Sequence, residues 1–428
     1  MKKVLIIAYY FPPLGMGGVQ RVVKWTKYLP QYGWQPHILT VKPIRYYAYD
    51  ETLLKEAAGS PIYRTGSFDP TRILAKLKKP DFTEKKRAVS QGSFWASGIR
   101  QFFIPDSKIG WYPFAWRKLV QLIRQVQPDA ILSTSPPLTA HLLGMKAKVR
   151  FNLPWLADFR DYWLGGEFVY TPTGIHRFLH RKLAVRALQT ADAVVSVSDP
   201  IQQSLLKIKA SAAQKYFVIP NGFDPDDFEK VQPKNNSEKL FLYMGSLGGA
   251  NDPGPFFRAL GQLGQRNPAV LKNWKILFIG QPLAPQNLPA HVAEQVEFVP
   301  YVTHPAAIGY LKAAAALLFT LSANVNPGFV TGKIFEYIAS GKPIFAISPA
   351  GVEATKILQE YNFGRVITDF NIDHISAELG SFLETDFGSA SGKSIERLRS
   401  RYSRKKQTQK LASVLDRLEK TGQKSQNG

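Results

Sequence analysis

The sequence contains no cysteine, which excludes disulfide scaffolds, iron–sulfur clusters, thiolate zinc sites and thiol nucleophiles. It also has few acidic residues: 32 Asp and Glu stand against 55 Lys and Arg among 428 residues, giving a formal net charge of +23. Such a chain needs an acidic partner, which leaves nucleic acid, an anionic membrane surface and phosphorylated small molecules. With 45% hydrophobic residues, it is expected to form two or three globular domains.

Long apolar runs are also missing. The longest internal run, residues 313–321, is about half of the roughly 20 residues that a membrane-spanning helix needs. The apolar run 4–11 follows two lysines as in a secretory signal, but it is rich in β-forming residues and ends in Pro12 and Pro13 without a cleavage pattern. We interpret it as a first buried strand and expect a cytoplasmic protein with no membrane span.

The basic excess is uneven along the chain. Residues 1–220 carry 32 basic and 13 acidic side chains, whereas the rest carries 23 and 19. The excess is greatest in residues 72–124, here called the basic–aromatic segment, where aromatic side chains are interleaved with Lys and Arg. This pattern favours docking on an anionic membrane surface. The alternatives are a solvated basic face over an aromatic core, and base stacking, for which no nucleic-acid-binding module is evident.

Short apolar runs alternate with helix-length amphipathic segments, which predicts parallel α/β units. The predicted strands are residues 4–10, 37–41, 130–134, 155–159, 193–197, 216–219, 240–244, 275–279, 296–299, 317–321, 343–347 and 365–367. We therefore predict two doubly wound domains, at residues 1–228 and 240–393. The polar stretch 229–239 is predicted to be the linker, and 394–428 a C-terminal helix and tail.

Ligands in parallel sheets bind at the carboxyl ends of strands, so the residues after each apolar run are the informative ones. After the first run comes a glycine-rich loop containing Gly17 and Gly18, which either brings backbone N–H groups to a phosphate or sugar or forms a tight turn. After the run 155–159, Arg160 stands between two carboxylates, Asp158 and Asp161. These groups either orient an acceptor hydroxyl and an anion or form a structural Asp–Arg pair.

The second half offers two further motifs. Residues 240–249 again join a strand to a glycine-rich turn able to cradle a diphosphate. A predicted helix over 331–340 places Lys333 and Glu336 three residues apart, as functional groups or as a surface ion pair. The pattern Asp224-Pro225-Asp226 is typical of metal–diphosphate sites, but within a Pro/Gly turn we interpret it as turn or helix-cap chemistry.

Four segments in order along nearly the whole chain carry a family resemblance: IIAYYFPPLGMGGVQR, VIPNGFDPDDF, YMGSL and TGKIFEYIASGKPI. Together they resemble the family 4 retaining glycosyltransferases of the GT-B fold. DFRDYW and TSPPL further resemble the branch that builds bacterial surface polysaccharides. The resemblance implies two Rossmann-like domains facing across a cleft, with the nucleotide sugar held by the second, the acceptor by the first, and the last helix crossing back to the first domain.

The resemblance also implies residue roles. Glu336 matches the glutamate that accepts hydrogen bonds from the donor ribose, and Tyr301 lies where the base stacks or meets backbone. Gly17, Gly18 and Gly245 match the family's loops near the diphosphate, and we further expect Ser246, Thr331 and Lys333 at the donor site. Asp158, Asp161 and Arg21 are expected at the acceptor, and Asp158, Arg160 and Lys333 in catalysis.

This sequence departs from the family pattern at three positions of the expected donor site. Gly328 stands where the family has a first glutamate that contacts the donor sugar, and Ser246 and Asn251 replace two phosphate-binding cations. A leaving diphosphate still needs its charge offset. Lys333 is therefore the expected phosphate-binding cation, with Arg21 or Arg160 as further cations, and neither a metal nor a cofactor is expected.

The sequence thus predicts a metal-independent hexosyltransferase-type enzyme. It would move sugar from a nucleotide-diphosphate sugar to a saccharide acceptor, lipid-linked and used for bacterial surface polysaccharide, at the inner face of the plasma membrane. Two alternatives stay open: a catalytically silent nucleotide-sugar-binding subunit, and a GT-B sugar-nucleotide epimerase. No Ser/His/Asp order, GxSxG elbow or phosphate-binding P-loop points to another reaction.

Overall fold

The computed structural model describes the chain except for residues 16, 45, 47, 69–102, 167–168, 210–212, 235–237, 281–287, 389–392 and 427–428. It divides into two compact units. The first comprises Met1–Pro220 and Lys405–Gly428, and the second comprises Asn221–Arg404. The chain therefore leaves the first unit at Pro220, eight residues before the predicted domain end, and returns to it at Lys405.

The first unit is built on a parallel sheet of seven strands. They are β1 (Lys2–Ile7), β2 (Trp34–Val41), β3 (Ile62–Thr65), β4 (Ala130–Ser135), β5 (Trp155–Phe159), β6 (Ala193–Ser196) and β7 (Tyr216–Val218). Their spatial order is β3-β2-β1-β4-β5-β6-β7, and Ile7 of β1 pairs with Leu39 on one side and Ser133 on the other. The chain order changes direction between β1 and β4, the position at which such sheets bind ligands.

Helices connect these strands. They are α1 (Gly17–Tyr28), α2 (Thr52–Glu56), α3 (Tyr112–Val126), α4 (Thr139–Phe151), α5 (Gly174–Thr190) and α6 (Asp199–Ile208), with 3-10 turns at Leu29–Tyr32, Ile109–Trp111 and Ala213–Lys215. The strand β4 is buried at every residue, as expected for a parallel sheet covered by helices on both faces.

The second unit repeats the scheme with six parallel strands. They are β8 (Lys239–Met244), β9 (Trp274–Ile279), β10 (Val296–Val299), β11 (Ala316–Thr320), β12 (Ile344–Ile347) and β13 (Gly364–Ile367). Their order is β10-β9-β8-β11-β12-β13, so the corresponding switch point lies between β8 and β11. The register there pairs Ala316 with Phe241 and Leu317 with Leu242.

The helices of the second unit are α7 (Pro225–Lys230), α8 (Gly254–Arg266), α9 (Pro268–Leu271), α10 (Ala290–Ala293), α11 (His304–Ala313), α12 (Lys333–Ser340), α13 (Glu353–Tyr361), α14 (Ile372–Glu384) and α15 (Lys393–Tyr402). Helix α12 ends at Gly341, whose φ of 69° lets the chain turn directly into β12. The predicted linker 229–239 is part of this unit, because Lys312 Nζ donates to the carbonyls of Phe228 at 2.8 Å and Val231 at 2.7 Å.

The last helix, α16 (Arg404–Gln426), packs on the first unit. Its Leu411 and Leu415 are fully buried in the core of that unit. Near its end, Asp416 and Glu419 each accept a bond of 2.9 Å from Lys2 Nζ. The predicted C-terminal helix is therefore two helices, α15 in the second unit and α16 on the first.

All twelve predicted strands are present, with ends displaced by up to three residues. The sequence prediction missed β3, a short edge strand in which three of four residues are only half-buried, so its apolar signal is weak. Among the described helices, none is both long and apolar enough to cross a membrane.

Candidate active site

The clearest candidate site lies at the switch point of the second sheet, around Lys333. Helix α12 begins at this residue, and its side chain extends over the carboxyl ends of β8 and β11. Lys333 Nζ lies 4.2 Å from the ring centroid of Tyr243 and 5.7 Å from that of Phe319, and it donates to Tyr243 Oη at 2.7 Å. Two adjacent strands therefore fix the position of the ammonium group.

Lys333 has an unusual electrostatic environment. Burial lowers its pKa from 10.5 to about 7. Within the described part of the chain, no carboxylate oxygen lies within 4 Å of its Nζ, and its polar partner is the hydroxyl of Tyr243. A half-buried amine without a counter-ion is a site for an anionic ligand, because an anion restores the charged form and pairs with it.

The glycine-rich loop after β8 lies next to this amine. Gly245 has a φ of +124°, and a Cβ at this position would lie 3.5 Å from Lys333 Nζ. The backbone at Gly280 packs closely against the Gly245 loop, since a Cβ on Gly280 would lie 2.2 Å from the carbonyl oxygen of Gly245. The carbonyl oxygen of Ser246 accepts a hydrogen bond from Tyr243 Oη at 2.8 Å, which fixes the loop at this residue. The loop can therefore present its backbone beside the Lys333 amine.

Three buried oxygen atoms in neighbouring segments have no hydrogen-bond partner among the described residues. They belong to Thr331, two residues before α12, to Thr320 at the end of β11, and to Asn251 in the loop after β8. A buried polar atom without a partner costs free energy, on the order of 1–3 kcal/mol. Phosphate or hydroxyl oxygens of a ligand can accept from the two threonine hydroxyls, and a ligand hydroxyl can donate to Asn251 Oδ1. Thr331 was among the donor residues predicted from the sequence.

Glu336 lies one turn into α12 and is held by a histidine from α11. His304 Nε2 lies 3.0 Å from Glu336 Oε1, and His304 Nδ1 lies 3.7 Å from Asp227 Oδ2. Glu336 therefore pairs with His304 and not with Lys333, so the predicted alternative of a Lys333–Glu336 ion pair is wrong. The sequence analysis assigned His304 to no site, because its spacing from Glu336 carries no sequence signal.

The remaining donor-site predictions are placed as follows. Tyr301 lies two residues after β10 and is half-buried. In the first unit, Gly17 and Gly18 are exposed and begin α1, with open space around the position of a Gly17 Cβ. Asp224 caps α7 by accepting from the backbone N–H of Asp226 at 3.1 Å, which confirms the helix-cap interpretation of that motif.

At the switch point of the first sheet, Asp158 and Arg21 form a buried ion pair. Arg21 donates through Nη2 to Oδ1 at 2.8 Å and through Nε to Oδ2 at 3.3 Å, and Thr134 Oγ1 donates to Oδ2 at 2.7 Å. Both charged side chains are at most 1% exposed. Arg21 also donates to the carbonyls of Ile219 and Pro220. This arrangement supports the structural alternative for the pair, and its acceptor and catalytic roles stay predictions.

The hydrogen bonds of the Arg160 side chain go to backbone carbonyls of two loops. Its guanidinium donates to the carbonyl of Ser135 at 2.9 Å, to that of Pro136 at 3.1 Å, and to that of Gly18. Burial lowers its pKa, and the neighbouring Asp158 opposes that shift. Arg160 thus positions the start of α1 relative to the loop after β4.

Asp161 lines a small cavity of about 70 Å³ at the carboxyl ends of these strands. The same cavity is lined by Tyr10, Lys108, Ser135 and Tyr162, of which the sequence analysis assigned none to a site. Tyr10 lies three residues after β1, so the position of the strand end was the available signal. The cavity combines hydroxyl groups, a cation and a carboxylate, a set suited to sugar hydroxyls.

Part of the basic–aromatic segment, residues 72–102, lies outside the described residues. In the described part, Trp111 is fully buried and donates from Nε1 to Thr65 Oγ1 at 2.7 Å. Trp116 is half-buried beneath Lys146, whose Nζ lies 4.4 Å from its ring. These two tryptophans therefore contribute to the core and its edge rather than to an exposed aromatic surface.

Comparison with known proteins agrees with this architecture. Residues 16–227 match the family model of Glycosyltransferase Family 4. The fold is similar to that of HepE from Anabaena in complex with UDP-glucose, at 15% identity over 97% of this chain and 100% of that chain, with a TM-score of 0.62. A glycosyltransferase from Rickettsia africae is similar at 15% identity over 97% and 98% of the two chains, with a TM-score of 0.63.

The lipopolysaccharide outer core galactosyltransferase WaaB is similar at 14% identity over 97% and 99% of the two chains, with a TM-score of 0.55. No curated protein sequence matches the chain significantly. Residues 16–227 therefore belong to glycosyltransferase family 4, and the two units have the fold of the GT-B glycosyltransferases. The family model thus identifies the first unit as that of a glycosyltransferase.

Proposed function

We propose that the protein is a retaining, metal-independent hexosyltransferase that moves a sugar from a nucleotide-diphosphate sugar to a saccharide acceptor. The observation that carries this proposal is the Lys333 amine. It is half-buried, lacks a carboxylate partner among the described residues and lies beside the Gly245 loop. A diphosphate placed there receives a charge-assisted bond from Lys333 and backbone N–H groups from the loop.

The reaction would then proceed with little covalent chemistry by the protein. The acceptor hydroxyl oxygen forms a bond to the anomeric carbon, and the bond from that carbon to the diphosphate oxygen breaks on the same face. The acceptor proton passes to the leaving phosphate oxygen, and protonated Lys333 offsets the charge that develops there. Glu336 would orient the donor ribose through its second carboxylate oxygen, since His304 engages the first.

We further propose that the acceptor is lipid-linked and serves bacterial surface polysaccharide synthesis at the cytoplasmic face of the plasma membrane. The net charge of +23 and the likeness to a lipopolysaccharide galactosyltransferase support this assignment. The acceptor saccharide would bind near the cavity that Asp161, Tyr10 and Lys108 line in the first unit, where hydroxyl and charged groups converge.

The test combines labelled nucleotide sugars with membrane extract. We expect transfer of label into the lipid fraction, and loss of transfer in Lys333→Ala without loss of folding. Lys356→Ala, which removes an exposed lysine that contacts Glu353, is the matched control and should be fully active. Full turnover by Lys333→Ala would refute the assignment of the phosphate-binding cation.

The same experiment separates the two alternatives. Gly328, which stands where the family has an acidic residue, is compatible with a silent binding subunit. Such a subunit would bind nucleotide sugar without consuming it, whereas an epimerase would isomerise the donor in the absence of membranes. Either result would replace the proposed transfer.

A further inference from the structure

Three neighbouring helices of the first unit carry no acidic residue. Helix α3 packs against α4, and α4 packs against α5. Together they contain ten basic side chains and neither Asp nor Glu. The ten are Arg117, Lys118, Arg124, Lys146, Lys148, Arg150, Arg177, Arg181, Lys182 and Arg186. We call this surface the acid-free face.

Few of the charges on the acid-free face have a counter-charge in the described part of the chain. Among the described residues, only Lys148 of these ten has a carboxylate within 4 Å, that of Asp192 at 3.0 Å. Eight of the ten side chains are exposed, and four of the eight lie on α5 alone. Such a concentration of one sign destabilises the folded chain by self-repulsion unless an anionic partner covers it, so it indicates an anionic binding surface.

The acid-free face also exposes large apolar side chains. Seven such side chains are exposed among the described residues, and four of them lie on α4 and α5. Val149 is 65% exposed, Ile175 70%, Phe178 65% and Leu179 37%. The last three lie within the first two turns of α5 at spacings of three and four residues, so they form one cluster. Apolar clusters rimmed by cations are typical of surfaces that enter a membrane interface.

A groove connects with this cluster. A cavity of about 430 Å³ lies between α4 and α5, with mostly apolar lining that includes Met145 and Val149 from α4 and Leu183 from α5. Leu179 precedes Leu183 by one helical turn, so the exposed apolar stripe of α5 continues into the groove. Lys146 and Arg186 line the same cavity and supply cations beside the apolar surface.

We propose that the acid-free face docks on an anionic phospholipid bilayer. The Lys and Arg side chains would meet the headgroups, Ile175 and Phe178 would enter the interface, and the groove between α4 and α5 would receive lipid hydrocarbon. The sequence analysis assigned membrane docking to the basic–aromatic segment, residues 72–124. The acid-free face shares only α3 with that segment and adds α4 and α5. The proposal deepens the proposed function by naming the surface that reaches a lipid-linked acceptor, but bilayer binding requires no sugar transfer.

Nucleic acid is a poorer match to the same surface. Two aromatic rings of the face, those of Tyr112 and Trp116, are covered by Lys146, whose Nζ lies 5.5 Å and 4.4 Å from their centroids. They are therefore not free to stack on bases. Of the four exposed large apolar side chains on α4 and α5, three are aliphatic and Phe178 alone offers a ring, which suits hydrocarbon better than base stacking.

Vesicle co-sedimentation of the full chain tests the proposal. Vesicles of phosphatidylcholine with phosphatidylglycerol should bind the protein, and vesicles of phosphatidylcholine alone should bind it weakly. The charge variant Arg177→Gln/Arg181→Gln/Lys182→Gln should bind the anionic vesicles about 100-fold more weakly. The control variant Lys272→Gln/Lys405→Gln/Lys410→Gln also loses three positive charges, from exposed positions outside the face, and should bind nearly as wild type.

A second variant tests the apolar part of the face. Ile175→Ser/Phe178→Ser keeps every charge and should weaken vesicle binding about tenfold. Because all substituted side chains are exposed, thermal unfolding should be unchanged in every variant. Equal weakening by the charge and control variants, no effect of the apolar variant, or tighter binding of wild type to an oligonucleotide duplex than to anionic vesicles would overturn the proposal.

Nucleotide binding measured on the same preparations separates this proposal from the proposed function. Variants of the acid-free face should retain wild-type affinity for the nucleoside diphosphate that binds the unmodified protein, because Lys333 and Glu336 lie in the other unit. Conversely, Lys333→Ala should bind vesicles normally. Failure of vesicle binding with intact nucleotide binding and transfer would refute the acid-free face alone.

Discussion

His304 Nε2 lies 3.0 Å from Glu336 Oε1, so an imidazole from the start of α11 fixes one oxygen of the carboxylate that is predicted to bind the donor ribose. On its other side the same ring faces Asp227 at 3.7 Å. Both of these contacts are with carboxylates, and the His304 side chain is only 10% exposed. This geometry makes His304 a positioning residue for Glu336. Under the proposed function, its loss should change the donor KM.

Replacing His304 should weaken donor use by releasing the Glu336 side chain. A hydrogen bond to a charged group contributes about 1.5–3 kcal/mol, so His304→Ala should raise the donor KM by about tenfold or more while kcat changes little. His304→Gln should restore most of the loss because its amide nitrogen can reach the position of Nε2, whereas His304→Asn is too short. Steady-state kinetics on the three variants measures this split.

The control for that experiment is His374, which pairs with Asp369 at 2.7 Å on an exposed surface of the second unit. His374→Ala should leave donor KM unchanged. Equal losses in His304→Gln and His304→Ala would contradict positioning through Nε2 and would leave only general packing at this site.

Nucleotide-sugar binding should be linked to proton uptake through Lys333. With its pKa lowered from 10.5 to about 7, the amine of the free protein is mostly neutral above pH 7. A bound diphosphate favours the ammonium form and raises that pKa, so binding takes up a proton and affinity falls as pH rises above 7. Calorimetry at pH 8 in two buffers of different ionisation enthalpy should show uptake of close to one proton.

Lys333→Met is the decisive variant for this linkage. It retains the length and apolar stem of the side chain but has no titrating group, so proton uptake should fall to near zero and affinity should become insensitive to pH in this range. Undiminished proton uptake in the variant would assign the linkage to another group.

Sequence patterns predicted the architecture because buried parallel strands leave strong signals. The runs that became β1, β5 and β11 are mostly apolar, and the end of the β5 run located the segment that carries Asp158. The edge strand β3 left a weak signal because only one of its residues is fully buried. Burial on both faces is thus what made most of the sheet predictable.

Side-chain partnerships were less predictable because they join residues distant in sequence. The spacing of Lys333 and Glu336 fitted an ion pair, yet each turns to a different partner, Tyr243 for Lys333 and His304 for Glu336. Likewise, Asp158 lies at a strand end as expected, but Arg21, 137 residues earlier, occupies both of its oxygens. Only the packing of helices and strands within each folded unit brings these pairs together.

The Arg21–Asp158 pair should be important for stability. Both groups are almost fully buried, so Asp158→Asn would leave the Arg21 cation without its counter-charge. Breaking a buried ion pair in this way costs about 3–5 kcal/mol. We expect that loss in the free energy of unfolding of the first unit, measured by urea denaturation, with nucleotide affinity of the second unit retained.

Asp373→Asn provides the contrast for that measurement. It removes the exposed partner of Arg266, at 2.9 Å, and should change stability little because exposed pairs are screened by water. If Asp158→Asn were as stable as wild type but inactive in transfer, the structural interpretation would give way to the catalytic one predicted from the sequence.

The first unit should lose stability in mild acid because of His141. This residue is fully buried, its Nδ1 lies 2.8 Å from Ser133 Oγ, and its Nε2 has no partner among the described residues. Burial lowers its pKa from 6.5 to about 3. Between these two values the unfolded chain binds a proton that the folded chain excludes, so this contribution to stability is complete above pH 6.5 and is lost as pH falls toward 3.

The magnitude follows from the shift, since one pKa unit corresponds to about 1.4 kcal/mol and the full loss is therefore about 4–5 kcal/mol. His141→Asn cannot titrate but retains a polar group near Nδ1. The variant should be less stable than wild type at pH 7, because it loses the His141 ring, which packs 4.3 Å from the ring of Phe159. The difference in free energy of unfolding between the two proteins should narrow steadily as pH falls toward 3. Urea denaturation across this pH range measures that difference, and a difference that stays constant with pH would show that His141 does not control acid stability.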